Sequence, residues 1–226
     1  MKNNKLYIIP TPIGNLKDIT LRSLEVLRDI KYIACEDTRK TQFLLRKYNL
    51  KNKILLAYFS PQEDKKIPQI IKILKNDSVG LITDAGMPLI SDPGYKLIKE
   101  CIKNDISIEV LPGPSAFLTA LIGSGLPVDR FLFLGFLPKK GLSNFLLKYK
   151  KLEATLVFYE SPFRLLKTLK IIKEIYPDCF IVIARELSKI YEEYLRGKID
   201  DLIKLLNNKK IKGEVTVILR ENFHLD

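Results

Sequence analysis

Short runs of apolar and β-branched residues recur along the whole 226-residue chain, and stretches of helical periodicity separate them. The runs cover residues 6–9, 32–35, 79–83, 107–111, 131–136, 155–159, 180–184 and 215–219. Each has strand length, and short β-branched or apolar runs of this kind read as strands. Between them, Leu21, Leu24, Val26, Leu27 and Ile30 fall at helical spacing, and residues 68–74 and 95–102 behave alike. Ser161-Pro162 predicts a further helix start, with Ser as the cap and Pro at the first helical position. Such alternation specifies an α/β fold, because helices of this kind must bury their apolar stripe on a sheet. Pro112-Gly113-Pro114 is the natural seam, so the expected division is an N-terminal α/β domain of residues 1–113 and a C-terminal one of residues 114–226.

Composition removes several classes of function. With 46% hydrophobic residues the chain can bury a core and is not expected to be disordered. Its longest apolar stretch, residues 131–137, is far short of the ~20 that span a bilayer, and the first apolar run is too short for a signal sequence. Cys35, Cys101 and Cys179 are odd in number and scattered, which suggests neither a disulfide framework nor a zinc knuckle and fits a reducing cytoplasm. Lys and Arg total 38 against 26 Asp and Glu, a net charge of +12, as expected of a protein that meets a polyanion. The excess is spread along the chain, so a solvated lysine-rich surface explains it equally well. The only histidine is His224, and any histidine base would have to act from there.

The residues that can carry chemistry stand after the expected strands, where open α/β sheets place ligands. Pro10-Thr11-Pro12-Ile13-Gly14-Asn15 is a rigid turn of bare backbone that a flat ligand can approach. Residues 83–94 form a long loop of small residues in which Asp84 can accept from a ribose or amino group, and Asp92-Pro93 reads as a helix start. Pro112-Gly113-Pro114-Ser115-Ala116 offers backbone N–H groups at another helix start. Charged clusters follow at Glu36-Asp37-Thr38-Arg39-Lys40, at Tyr159-Glu160-Ser161-Pro162-Phe163-Arg164 and at Ala184-Arg185-Glu186-Leu187-Ser188-Lys189. No Gly-x-Gly-x-x-Gly or P-loop motif is present, so a nicotinamide dehydrogenase or an NTPase is a poor fit.

In this order, together with Gly135-Phe136-Leu137-Pro138-Lys139 and Lys212-Gly213-Glu214, these motifs resemble the 16S ribosomal RNA (cytidine-2′-O)-methyltransferase branch of the tetrapyrrole-methylase superfamily. The resemblance runs from about residue 6 to 219. It implies two unequal α/β domains with S-adenosylmethionine in the cleft between them, a homodimer, no metal, and a decoding-site cytidine of 16S ribosomal RNA as acceptor. It further implies that Pro12, Ile13, Asp84, Met87, Ser115, Ala116, Phe158, Tyr159, Ala184 and Gly213 surround the cofactor. For the acceptor chemistry the candidates are Glu36, Arg39, Glu160, Arg185, Glu186 and Lys189, with arginines for phosphate and a carboxylate or lysine for the proton. The family commonly has Thr where Met87 stands, a change expected to be tolerated if the contact is through backbone. Larger members continue beyond the Lys-Gly-Glu strand, so RNA contact is expected to fall to the two core domains. Methylation of a tetrapyrrole or another small metabolite on the same scaffold, and a non-catalytic RNA-binding assembly factor, are the alternatives.

Overall fold

The computed structural model describes residues 4–223; His224 lies outside them. The chain divides into two compact units, one ending at Ser115 and the next beginning at Ala116. No helix among the described residues is long and apolar enough to cross a membrane.

The first unit runs β1 (Lys5–Ile8), α1 (Leu21–Asp29), β2 (Tyr32–Cys35), α2 (Thr38–Lys47), β3 (Ile54–Ala57), α3 (Glu63–Leu74), β4 (Val79–Ile82), α4 (Tyr95–Lys103) and β5 (Ser107–Val110). Its strands pair in the order β3-β2-β4-β1-β5, every pairing parallel, with Leu6 of β1 opposite Val79 on one side and Ile108 on the other. The connections through α1 and α2 carry the chain one way across the sheet, and those through α3 and α4 carry it back. Right-handed crossovers then put the two helix pairs on opposite faces. The cores obey this: Leu27, Ile30 and Leu45 pack on Ile9, Ile33 and Ile82, whereas Ile70, Leu74, Leu97 and Cys101 pack on Leu6, Ile8 and Leu81. Leu6 and Ile8 thus serve one face and Tyr7 and Ile9 the other, which is why residues 6–9 are all apolar or aromatic.

The second unit runs α5 (Ala116–Ser124), β6 (Phe131–Phe136), α6 (Leu142–Leu147), β7 (Thr155–Glu160), α7 (Leu165–Ile175), β8 (Cys179–Arg185), β9 (Glu193–Lys198), α8 (Ile199–Asn208) and β10 (Val215–Glu221). The sheet order is β6-β7-β10-β8-β9; β6 and β7 are parallel and the remaining pairs antiparallel. Leu146, Leu165, Leu169, Ile172 and Leu202 from α6, α7 and α8 form one core with Phe158, Ile181, Ile183 and Val217 of the sheet. Helix α5 lies along β7, β8, β9 and β10.

Several boundaries differ from those the sequence suggests. Strands β3 and β9 were not anticipated: both are edge strands, and β9 carries the charged residues that protect an open edge. Helix α3 begins at Glu63, not Pro68, so its first turn holds Glu63 and Asp64 and the proline is internal. Helix α4 starts at Tyr95 with Gly94 as its cap, so Asp92-Pro93 belongs to the loop. Helix α7 starts at Leu165, and residues 161–164 form a turn whose Ser161 carbonyl accepts from Arg164 N and Leu165 N.

Candidate functional site

In a parallel sheet all strands end at the same edge, so the loops after β1, β2, β4 and β5 gather there in the first unit. The loop after β1 is locked to that after β4 by an isolated antiparallel bridge, Thr11 N to Gly86 O at 2.9 Å and Gly86 N to Thr11 O at 3.0 Å. Thr11 also donates its hydroxyl to Thr83 O at 3.2 Å. The loop after β5 joins them, since Gly113 and Pro10 are in close contact and the Pro114 carbonyl lies beside Gly86. Two residues of the β4 loop, Leu89 with φ 72° and Ser91 with φ 69°, adopt the left-handed conformation that L side chains disfavour. This loop is therefore shaped by its surroundings.

Four carboxylates and two cations stand at this edge. Asp84 accepts from Asp37 N at 3.2 Å and from Lys40 Nζ at 2.6 Å, and Asp37 caps α2 while pairing with Arg39. Burial, reinforced by the Asp84 charge, pushes the Glu36 carboxyl above its ordinary range. Asp92 is pushed up to about 6, chiefly by burial; a hydrogen bond from Thr83 opposes this and the Glu36 and Asp84 charges add to it. The edge is thus overfilled with negative charge.

The second unit has its own cluster where β8 ends and β10 begins. Glu186, in the left-handed region at φ 49°, donates its backbone N–H to Glu214 O at 3.0 Å. Its Oε1 accepts from Lys189 Nζ at 2.8 Å and from Glu214 N at 3.0 Å. Only glycine fits at position 213: φ is +88°, and a Cβ there would lie 2.3 Å from Glu186 Oε1. Arg185 donates to Lys212 O at 3.0 Å and pairs with Glu193 at 3.2 Å. The Lys189 hydrogen bond holds the Glu186 carboxyl below its usual range; burial alone would lower Lys189, but its bonds to Glu186 and Glu214 raise it on balance. Lys189 is accordingly a fixed cation at neutral pH.

Glu160 is 3% exposed, and both its oxygens are taken, one by Ser161 N at 2.7 Å and the other by Thr168 Oγ1 at 2.6 Å. Arg164 sits 3.5 Å from it and donates to the Leu137 and Pro138 carbonyls, tying the loop after β6 to the start of α7. That arrangement makes Glu160 an anchor of its turn and not a group facing a solute. Phe158 is fully buried in the helix-facing core, so only its backbone could meet a ligand. Tyr159, Thr216, Ala184 and Tyr194 form one row across the sheet by register. Tyr194 donates to Thr119 O of α5 at 3.2 Å, which places that row on the α5 face.

In the first unit the structure therefore brings Glu36, Arg39 and Asp84 to the edge that also holds Thr11 and Gly86, beside the turn of Pro12 and Ile13, with Met87 partly buried against the α3–α4 core. Ser115 is buried at the end of that unit and Ala116 opens α5. In the second unit it joins Arg185, Glu186, Lys189 and Gly213. Sequence reasoning passed over Asp92, read only as a helix start, and Lys40 and Glu214, whose roles depend on partners 44 and 25 residues away.

A family model described as Tetrapyrrole (Corrin/Porphyrin) Methylases matches residues 5–203. The chain is 51% identical to a Ribosomal RNA small subunit methyltransferase I from Hydrogenobaculum sp. (strain Y04AAS1), over 96% of both chains. It is 46% identical to the protein of that name from Thermotoga maritima, over 95% of this chain and 97% of that one. Among solved structures, diphthine synthase superposes with a TM-score of 0.73 at 17% identity, covering 98% of this chain and 92% of that one. The uroporphyrin III C-methyl transferase of Thermus thermophilus gives 0.65 at 15%, covering 95% and 97%. These two show a shared fold, and the nearly full-length matches at 51% and 46% show more. The chain belongs to the tetrapyrrole methylase family and groups within it with the ribosomal RNA small subunit methyltransferases I.

Proposed function

We propose that this protein transfers the methyl group of S-adenosylmethionine to the ribose 2′-hydroxyl of a decoding-site cytidine in 16S ribosomal RNA, in the cytoplasm. The observation that carries the reading is the 51% identity, over 96% of both chains, to a protein named for small-subunit ribosomal RNA methylation. The first unit's edge suits the cofactor chemically: four carboxylates face two basic side chains, and a ligand with a sulfonium and an ammonium would favour the ionised forms of Glu36 and Asp92, which burial chiefly and neighbouring carboxylates secondarily disfavour. When bound, S-adenosylmethionine supplies an electrophilic methyl group. In the first unit the residues assigned to it are Pro12, Ile13, Asp84, Met87 and Ser115; in the second, Ala116, Tyr159, Ala184 and Gly213, and Phe158 through its backbone.

Transfer is an in-line displacement that depends above all on positioning, and the bridged loops after β1 and β4 are built to hold a ligand still. A ribose hydroxyl must lose a proton as its oxygen bonds to carbon. Glu36 is the proposed acceptor of that proton, because its raised pKa gives it more affinity for a proton than an ordinary carboxylate while leaving it at the ligand edge. Arg39, Arg185 and the fixed cation Lys189 are assigned to RNA phosphate, and Glu186 to holding Lys189. The resemblance extends the proposal to a homodimer.

Unmethylated small subunits incubated with the protein and methyl-labelled S-adenosylmethionine test the reading. A 2′-O-methyl removes the hydroxyl that attacks the neighbouring phosphodiester in alkali, so label is expected in an alkali-resistant dinucleotide containing cytidine. Label on a base, or on a small metabolite and no RNA, would overturn it.

A further inference from the structure

One buried carboxylate near this edge has no part in the chemistry above. Glu63, the first residue of α3, is only 9% exposed. Its Oε1 accepts from the Tyr58 hydroxyl at 2.8 Å and from Gly94 N at 2.9 Å. Tyr58 follows β3 and is fully buried, and Gly94 is the cap of α4, so a single oxygen atom ties together the end of a strand and the starts of two helices.

The Gly94 end of that bond closes the Asp84 loop. Gly94 has φ 139°, open only to glycine, and a Cβ there would lie 2.9 Å from Leu89 Cγ and 3.0 Å from Leu81 Cδ2. The cap offers no side chain to the orphan N–H groups of α4, and Glu63 fills that role from another helix. Both helix starts favour negative charge at that point. At its other end the loop is held by the Thr11–Gly86 bridge. Between the two clamps lie Met87, assigned to the cofactor, Asp92, and the strained Leu89 and Ser91. A strained conformation persists only while its ends are fixed, so releasing one clamp lets the intervening residues relax.

We infer that Glu63 is a positioning residue for the cofactor loop: by holding the Gly94 N–H it sets the shape in which residues 84–94 meet S-adenosylmethionine. The inference rests on the proposed assignment of that loop to the cofactor. It touches no reacting atom and works through Gly94.

The test compares Glu63→Ala, Glu63→Asp and Glu63→Gln in the full-length protein, with calorimetric titration of S-adenosylmethionine and methylation kinetics on small subunits. Asp keeps the charge but withdraws the oxygen by about one carbon–carbon bond, ~1.5 Å, out of reach of both partners. Gln keeps a carbonyl oxygen where Oε1 stands and can accept both bonds. Glu63→Ala and Glu63→Asp are each expected to weaken S-adenosylmethionine binding about tenfold and to raise its KM while kcat at saturation changes less than about threefold; Glu63→Gln should restore affinity to within about threefold. Leu74→Ala, at the far end of the same helix and 2% exposed, should lower the melting temperature without moving the affinity, which separates positioning from general loosening. If Glu63→Ala does not fold, Glu63→Asp decides. Wild-type affinity in a folded Asp or Ala variant would overturn the inference and leave the proposed function standing. A wild-type protein that binds no S-adenosylmethionine would overturn both.

Discussion

Asp92 is the side chain whose behaviour the rest of its edge determines most strongly. Its carboxyl, pushed up to about 6 by burial and by Glu36 and Asp84, titrates above the unfolded value of about 3.9. The folded state therefore binds its proton more tightly than the unfolded state, so this group costs stability at neutral pH and the cost disappears as pH falls from about 7 to about 4. A cationic ligand reverses the preference by favouring the ionised form. Affinity for S-adenosylmethionine is expected to fall severalfold between pH 7 and pH 5, and Asp92→Asn should flatten that dependence; titration calorimetry across the range checks it, and an unchanged slope in the variant would remove Asp92 from the linkage. Little of this was legible in the sequence. Asp92-Pro93 carries a strong helix-start signal, yet Gly94 takes the cap because its N–H is claimed by Glu63, 31 residues away. Asp84 was legible because a carboxylate directly after an apolar run lies at a strand end. Glu160 shows the reverse error: its neighbours resemble a site motif, but burial and two close donors absorb it.

Single elements of the second unit depend on that absorbed carboxylate. Thr168 on α7 and Ser161 in the turn both hold Glu160, so β7 and α7 are joined by buried charge-assisted hydrogen bonds. Thr168→Val keeps the shape and removes the donor, which leaves a buried carboxylate oxygen short of a partner. The expected loss is about 1–3 kcal/mol. Urea denaturation checks it, with Thr168→Ser expected to stay within about 1 kcal/mol of wild type. The eight runs read from sequence all correspond to strands, most clearly where burial on both faces leaves an unbroken apolar signature, as in β4 and β8. Strand β9 left no such signature, being an edge interrupted by Glu193, Arg196 and Lys198, whereas β3 is a four-residue apolar edge run that the sequence reading passed over. Helix starts were less legible than helix bodies, since α3 and α7 begin where tertiary hydrogen bonds allow and not where the proline sits.

Over the whole molecule, a net charge of +12 sets how strongly an anionic partner is drawn in. Small-subunit binding should weaken steeply with salt, each neutralised phosphate contributing ~0.7 to ~0.9 to the log–log slope, while S-adenosylmethionine binding changes little. Filter binding across a salt series measures both, and a flat subunit curve would assign the lysines to solvation alone. The α/β class was written in the alternation of runs, but the order of strands within each unit was not, because pairing partners are chosen by packing across tens of residues. That order has a consequence for the way the chain is made. Among the described residues β1 pairs with β4 and β5, so once synthesised it finds no partner until residue 79 has followed it and no second one until residue 107. During that interval β2 and β3 can already pair, and they leave a gap to be filled from within. The nascent chain thus carries β1 unpaired through most of the synthesis of its first unit, and the Thr11–Gly86 bridge, at the edge proposed for the cofactor, can close only after β4 is inserted beside β1.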